Sequence, residues 1–520
     1  MRSFPEGAMT NFVGDPAGPR NFSHWIGGQW QEGAGTPFER LNPADDRCVG
    51  RYKDATIAEV DQAVAAAKAA MESRIWRSLS GADRSGILMR TAAEILRRRE
   101  ELAFFETAES GKPLRQARIE IERSAALWEY AASQARSVTG DSFSAVGDGL
   151  TAITVREPVG VAAIVTPWNF PFLIIGQKLP FALAAGCSAV VKPSELTPAT
   201  TLLLGEILSA AGLPAGVVNI LAGHGMPAGD RLISHPDVDI ISFTGSTKVG
   251  RRAMQAGSEG IKKVSLELGG KNAHIVCADA NLDQAHDAVL HGAFLNAGQS
   301  CNCGSRLLVE RSIADAFIQR LVADASRIPV GDPLEDATLV GPIINKVQFD
   351  KILGYIETGR KEGATLRLGG QARPIGSGRY IEPTIFSDVT PDMAIAREEI
   401  FGPVLSILVF DGVDEAIKLA NNSVYGLSAG IWTSDLAAAM KAAEELKAGT
   451  IWINTYLDGP AELPFGGYGQ SGVGRENGLL GVEEFTEVKT VQIRSRGYQK
   501  RWVGKTLPDA PAAASPTLTG

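Results

Sequence analysis

Between Val159 and Phe243, short apolar runs alternate with longer helical ones, and this alternation constrains the fold more than any other feature of the chain. VGVAAIVTP, SAVVKPS, GVVNILAG and VDIISF carry apolar residues in succession, so both faces of each strand need cover. Between them, FLIIGQKLPFALAAG, TPATTLLLGEILSAAG and the short PAGDRLISH read as helices. The pattern predicts an α/β fold with a parallel sheet, whose ligands gather at the carboxyl ends of the strands. From about Gly270, NAHIVCA, NLDQAHDAVLHGAFLNAG, SRLLVE and SIADAFIQRLVADAS repeat it.

The flanks read differently. From Ala55 to about Gln134 the apolar spacing is helical, as in TIAEVDQAVAAAKAAM and GILMRTAAEILRRREELAFFETAES. SVTGDSFSAVGDGLTAITVREP then switches to short β-like runs with glycine punctuation, as for a hairpin leaving the main body. GTIWIN and TEVKTVQIRS are β-rich, and LPDAPAAASPTLTG has the composition of a flexible tail. No internal repeat recurs at a fixed period. With 520 residues the chain has room for two or three domains.

A formal net charge of -8 disfavours phosphate-backbone binding, so no nucleic-acid partner is expected. No apolar run approaches the ~20 residues that span a bilayer, so no membrane partner is expected either. The first residues lack a secretory apolar stretch and read as a flexible arm, with Met9 as an alternative start. Five sparse cysteines argue against a disulfide framework and for a reducing, cytoplasmic setting.

Four positions carry chemistry. Gly245, Ser246 and Gly250 fall between a strand and a helix, where backbone N–H groups can hold a phosphate. The spacing is neither G-x-G-x-x-G nor a Walker A motif, and a plain βα turn fits it equally. Cys301, in NAGQSCNCG, sits at a helix–strand junction and reads either as a reactive thiol or as an incidental loop cysteine. Cys301 and Cys303 have no second ligand cluster, so no metal is expected. Glu267, inside VSLELGG, is either a general base with a raised pKa or a glutamate on a half-exposed strand. Asn169, in TPWNFP, is either an oxyanion donor or a turn residue.

TPWNFP, VVKPSE, FTGSTKVG, LELGGK, GQSC, EEIFGPV and PFGGYGQSGVGRE follow one another in an order that resembles the aldehyde dehydrogenase superfamily, from about Phe22 to Trp502. The resemblance implies an NAD-dependent enzyme that oxidises an aldehyde to a carboxylic acid. Cys301 would be the nucleophile, with Asn169 and the Cys301 N–H holding the oxyanion. Glu267 would activate the hydrolytic water, and Lys178 and Glu476 match positions of a proton path. Lys192 and Glu195 would bind the adenosine ribose, the carboxylate favouring NAD over NADP. Gly245 and Ser246 would hold the pyrophosphate near Trp168, Glu399 the nicotinamide ribose, and Phe401 would pack beside the nicotinamide.

The resemblance also implies a Rossmann-type cofactor domain at 21–136 and 158–267 and an α/β catalytic domain at 268–485. Oligomerisation segments would lie at 137–157 and 486–502, an arm at 1–20 and a tail at 503–520. A homodimer or homotetramer is expected. Phe170, Leu173, Ile174, Gln177, Leu295, Ser300, Leu457 and Phe465 would line the aldehyde tunnel. The C-terminal motif is similar to betaine-aldehyde and amino-aldehyde dehydrogenases, whose aromatic rings often enclose a cation. Leu295 and Gln177 stand where many relatives carry aromatics, which argues against a tight cationic box and leaves room for a hydroxylated or amino-substituted chain. Two alternatives are a CoA-acylating semialdehyde dehydrogenase, which Glu267 argues against, and a non-catalytic NAD-binding protein, which the presence of Cys301 and Glu267 argues against.

Overall fold

The computed structural model describes residues 18–147, 149–497 and 502. The arm expected at 1–20 therefore lies outside the described residues up to residue 17, as do the tail at 503–520 and residues 498–501. The described chain forms two compact units, one running to Val138 and over Pro158–Thr486, the other over Thr139–Glu157 and from Glu487 onward.

Two large sheets dominate the larger unit, beside smaller two- and three-stranded ones. The first holds His24–Ile26 (β1), Gln29–Gln31 (β2), Val161–Val165 (β3), Ser188–Lys192 (β4), Val218–Ile220 (β5), Ile240–Thr244 (β6) and Lys263–Glu267 (β7). Its spatial order is Gly472–Val473, β7, β6, β3, β4, β5, β1, β2. The strands β3 to β7 pair in parallel, as their unbroken apolar composition predicts. Alternate residues face opposite cores: Ala162 and Ile164 pack on one side, Val161 and Ala163 on the other.

The second sheet holds Ala273–Val276 (β8), Arg306–Glu310 (β9), Thr365–Leu368 (β10), Thr384–Ser387 (β11), Val404–Phe410 (β12), Ser428–Trp432 (β13) and Thr450–Ile453 (β14). Its order is β10, β11, β12, β9, β8, β13, β14, parallel except at β10. Glu267 ends the first sheet's β7 and Ala273 opens β8, so the residues between them connect the two sheets.

The helices around the site are Ile57–Glu72 (α1), Gly81–Arg97 (α2), Arg99–Ser110 (α3), Leu114–Ala135 (α4), Pro171–Ala185 (α5), Ala199–Ala210 (α6), Thr247–Gly260 (α7) and Leu282–Phe294 (α8), and Ala314–Ala325, Lys346–Lys361, Val413–Asn421 and Leu436–Glu445 are helical beyond them. Thr56 and Ser80 start α1 and α2 with reciprocal capping boxes to Glu59 and Asp83. The helical run 86–110 falls on two helices divided at Arg98. Two expectations are corrected. Gly250 lies inside α7 rather than in the turn before it, and a Cβ there would come within 2.5 Å of Leu268. Finally, α8 stops at Phe294 instead of running to Gly298.

The smaller unit is a three-stranded sheet in the order Thr486–Arg494, Leu150–Pro158, Ser142–Phe143. Lys489 pairs with Glu157 across it at 2.5 Å.

Candidate active site

The parallel strands of the first sheet are visited in the order β3, β4, β5, then β6, β7, with β6 returning to the far side of β3. The topology therefore reverses between β3 and β6, where open α/β sheets form their ligand crevice. Trp168 and Asn169 follow β3, and Gly245 and Ser246 follow β6. Ser246 caps α7 through Val249 N at 3.4 Å, so this fourteen-residue helix presents its free N–H groups at the crevice.

Cys301 follows a turn of left-handed backbone: Asn296 at φ 51°, Ala297 at 56° and Gly298 at 68°. Side chains that L residues rarely place there are held by a dense polar shell. Asn296 Nδ2 donates to Asn169 O at 2.9 Å, and Asn169 Nδ2 donates to Gln299 O at 3.1 Å. Gln299 Oε1 accepts from Ile344 N at 3.1 Å. Asn169 thereby has one amide proton fixed and its buried side chain oriented beside the Cys301 loop. Asn296 passed unnoticed in the sequence, although Asn is a residue type that tolerates left-handed backbone.

Cys301 is half-buried. Burial first, then the Glu399 and Glu267 carboxylates, pushes its thiol well above the ordinary range. Glu267 is buried, and neither of its carboxylate oxygens has a hydrogen-bond partner among the described residues. Burial and then the Glu476 charge raise its pKa well above the usual carboxylate range. Gly466 makes room for it: a Cβ there would stand 2.8 Å from Glu267 Oε1.

Lys178 and Glu476 form a buried ion pair, and Lys178 Nζ also donates to Ser242 Oγ at 3.1 Å. Burial raises the Glu476 pKa, and the lysine beside it opposes that rise. Glu476 is clamped by its backbone to Phe465, each N–H donating to the other's carbonyl at 2.7 Å.

At the positions expected to bind the cofactor, Lys192 Nζ donates to the carbonyls of Pro193 and Gly223, both at 2.7 Å, leaving its third proton available. Burial lowers its pKa to about 8, and Glu195 and Asp54 counteract. Glu195 is half-buried beyond the end of β4. Glu399 accepts from Gly270 N at 3.0 Å, and a Cβ at Gly269 would meet its carboxylate at 2.5 Å. Burial raises its pKa against the pull of that N–H. The rings of Trp168 and Phe401 meet edge to face at 5.3 Å, with Phe401 in left-handed backbone at φ 60°.

Among the positions expected to line the aldehyde tunnel, Phe170 precedes α5, and Leu173 and Gln177 are half-buried one turn apart on it, with Ile174 buried. Leu295 is half-buried where α8 ends. Ser300 is buried and donates its hydroxyl to Asn302 Oδ1 at 2.7 Å. Leu457 adopts φ 62° in the loop after β14.

The chain as a whole is similar to known proteins. Residues 30–491 match the model of the aldehyde dehydrogenase family. The chain is 43% identical to an NAD-dependent aldehyde dehydrogenase from Sinorhizobium meliloti, with TM-score 0.92, covering 94% of this chain and 98% of that one. A betaine aldehyde dehydrogenase from Staphylococcus aureus in complex with NAD+ is 35% identical, with TM-score 0.91 over 93% and 96% of the two chains. An aldehyde dehydrogenase point mutant from Bacillus cereus is 39% identical, with TM-score 0.90 over 91% and 97%. Together with the α/β architecture and the site above, these matches establish that the chain belongs to the aldehyde dehydrogenase family.

Proposed function

We propose that this protein oxidises an aldehyde to a carboxylic acid through a thioester on Cys301, with NAD as hydride acceptor. The observation that carries the reading is Glu267, a buried carboxylate with no protein partner among the described residues and a raised pKa, close enough to the Cys301 thiol to raise it. Such a carboxylate is a competent base near neutral pH.

The residues suit the cofactor. The free N–H groups of α7 suit a pyrophosphate, the remaining Lys192 proton and Glu195 suit ribose hydroxyls, and the Gly269 gap seats Glu399 for the second ribose. When bound, NAD supplies the acceptor for the hydride that leaves the substrate carbon. On this reading the first sheet serves the cofactor and the second carries the nucleophile.

In the proposed sequence, Glu267 takes the thiol proton and Cys301 Sγ bonds to the aldehyde carbon. Asn169 and the Cys301 N–H hold the resulting oxyanion. Loss of hydride from that carbon leaves the thioester. Glu267 then takes a proton from water, which attacks the thioester and releases the acid and the thiol. The Lys178–Glu476 pair provides an exit for the proton held on Glu267. A carboxylate reserved for water favours hydrolysis over transfer to CoA.

The substrate we infer is an aldehyde with an amino-substituted or hydroxylated chain, facing Gln177. The likeness to a betaine aldehyde dehydrogenase supports that class. Five free cysteines support a reducing, cytoplasmic setting. The exposed residues Val488 and Ile493 on the edge strand Thr486–Arg494 support assembly into dimers or tetramers.

The test is NADH release across aliphatic, aromatic, ω-amino and betaine aldehydes, with Cys301→Ala as control. Turnover is expected to be highest on the ω-amino or betaine class, and to fall by more than ~10³-fold in Cys301→Ala while NAD still binds. Near-normal turnover in that variant would refute the mechanism, and an acyl-CoA product would refute the hydrolytic step.

A further inference from the structure

Every backbone carbonyl from Gln299 to Cys303 has a donor. Gln299 O accepts from Asn169 Nδ2, and Ser300 O accepts from Cys303 N at 3.3 Å. Asn272 Nδ2 donates to Cys301 O at 2.8 Å and to Cys303 O at 2.9 Å. Tyr456 Oη donates to Asn302 O at 3.3 Å. Two side chains, from the start of β8 and from the loop after β14, thus hold three successive carbonyls of the nucleophile loop.

Both side chains are themselves fixed. Asn272 Oδ1 accepts from Ser428 N at 3.1 Å, which sets the amide orientation and aims its NH2 at the loop. The Tyr456 ring lies in a cradle of glycines: a Cβ would come within 2.8 Å of it at Gly292 and 2.7 Å at Gly430. Its face stacks on His274 at 4.1 Å. His274 Nε2 accepts from Trp432 Nε1 at 2.7 Å, and burial pushes the His274 pKa down to about 3, so the stack keeps a neutral ring.

We propose that Asn272 and Tyr456 are positioning residues for the nucleophile, holding Cys301 and its N–H in the geometry that receives the developing oxyanion. The inference rests on the assignment of Cys301 as nucleophile. A carbonyl oxygen is the negative end of a peptide dipole, and one turned toward an oxyanion or thiolate raises its energy. Tying back the carbonyls of 301, 302 and 303 removes that opposition. The 300–301 peptide is held separately: its carbonyl binds Cys303 N, and peptide planarity directs the Cys301 N–H to the opposite side. Donors fixed before the reaction need no reorganisation during it.

Tyr456→Phe removes only the hydroxyl and leaves the ring in its cradle. Its pre-steady-state NADH burst is expected to slow about fivefold, the worth of one hydrogen bond. Asn272→Ala frees two carbonyls and is expected to slow the burst about 10²-fold, as small misplacements near a reacting centre do. In both, KM for NAD stays at the parent value and alkylation of Cys301 by iodoacetamide slows with the burst. Asn272→Asp, equal in shape but without donors, fails to restore the rate. If Asn272→Ala does not fold, Asn272→Ser, which keeps one donor, is read in its place. A parent burst rate in either folded variant overturns the clamp, even where its thermal midpoint has fallen. A burst that survives Cys301→Ala overturns the nucleophile assignment and the clamp with it; one lost there but normal in Tyr456→Phe overturns the clamp alone.

Discussion

At the scale of single residues, the proposed chemistry turns on two groups whose burial opposes their charge. Glu267 must be ionised to act as a base, and its pKa is raised by burial and by Glu476. Deacylation is therefore expected to fall as pH is lowered through a value above the ordinary carboxylate range, and to rise as Glu267 ionises. Glu267→Gln is expected to abolish that acid limb, slow turnover by about 10²–10⁴-fold, and leave a thioester visible by mass spectrometry of the quenched enzyme. Glu195→Ala removes a negative charge from the proposed ribose site. It is expected to raise kcat/KM for NADP relative to NAD by at least ~10-fold, since a like charge no longer faces the 2′-phosphate. Glu267 was partly legible in the sequence, because a carboxylate inside an apolar strand is costly to bury and marks a group with work to do. Cys301 alone was not; its neighbours in sequence gave it meaning only through the family's order of motifs. Asn272 and Tyr456 escaped notice because their partners lie 29 and 154 positions away, and no local pattern encodes such a contact.

At the scale of elements, apolar runs located β3 to β6 of the first sheet and β8, β9 and β14 of the second to within a few residues, because buried parallel strands have unbroken apolar runs, whereas β10 to β13 were not identified. Periodicity does not mark a helix end that lacks a proline or glycine. Arg98 divides α2 from α3 inside a continuous helical pattern, and its N–H still bonds to Glu94 O and Leu96 O. It failed again at Asn296, where the left-handed turn is stabilised by tertiary hydrogen bonds rather than by sequence preference. Local capping, by contrast, is written in the chain. The Thr56 side chain accepts from Glu59 N, and Glu59 Oε2 returns the contact to Thr56 N at 2.8 Å. Thr56→Ala is expected to cost about 1 kcal/mol in urea denaturation, with no change in kcat.

At the scale of the whole molecule, the order of the first sheet places the ends of β3 and β6 side by side, and that adjacency assembles segments far apart in the sequence into one crevice. The Lys178–Glu476 pair adds a link of longer range, joining α5 to the chain after Phe465. Removing one partner of such a buried pair strands the other, so Lys178→Met is expected to cost about 3–5 kcal/mol, read as a lower urea midpoint. Replacing both, as Lys178→Met with Glu476→Leu, is expected to recover part of that loss. The paired backbone of Phe465 and Glu476 has a bearing on attempts to redesign this protein. A residue expected to shape selectivity is bolted to one expected to relay protons. Libraries that vary position 465 to admit new aldehydes will therefore shift the pH optimum as they shift selectivity, and screening at a single pH will discard variants whose new preference is real.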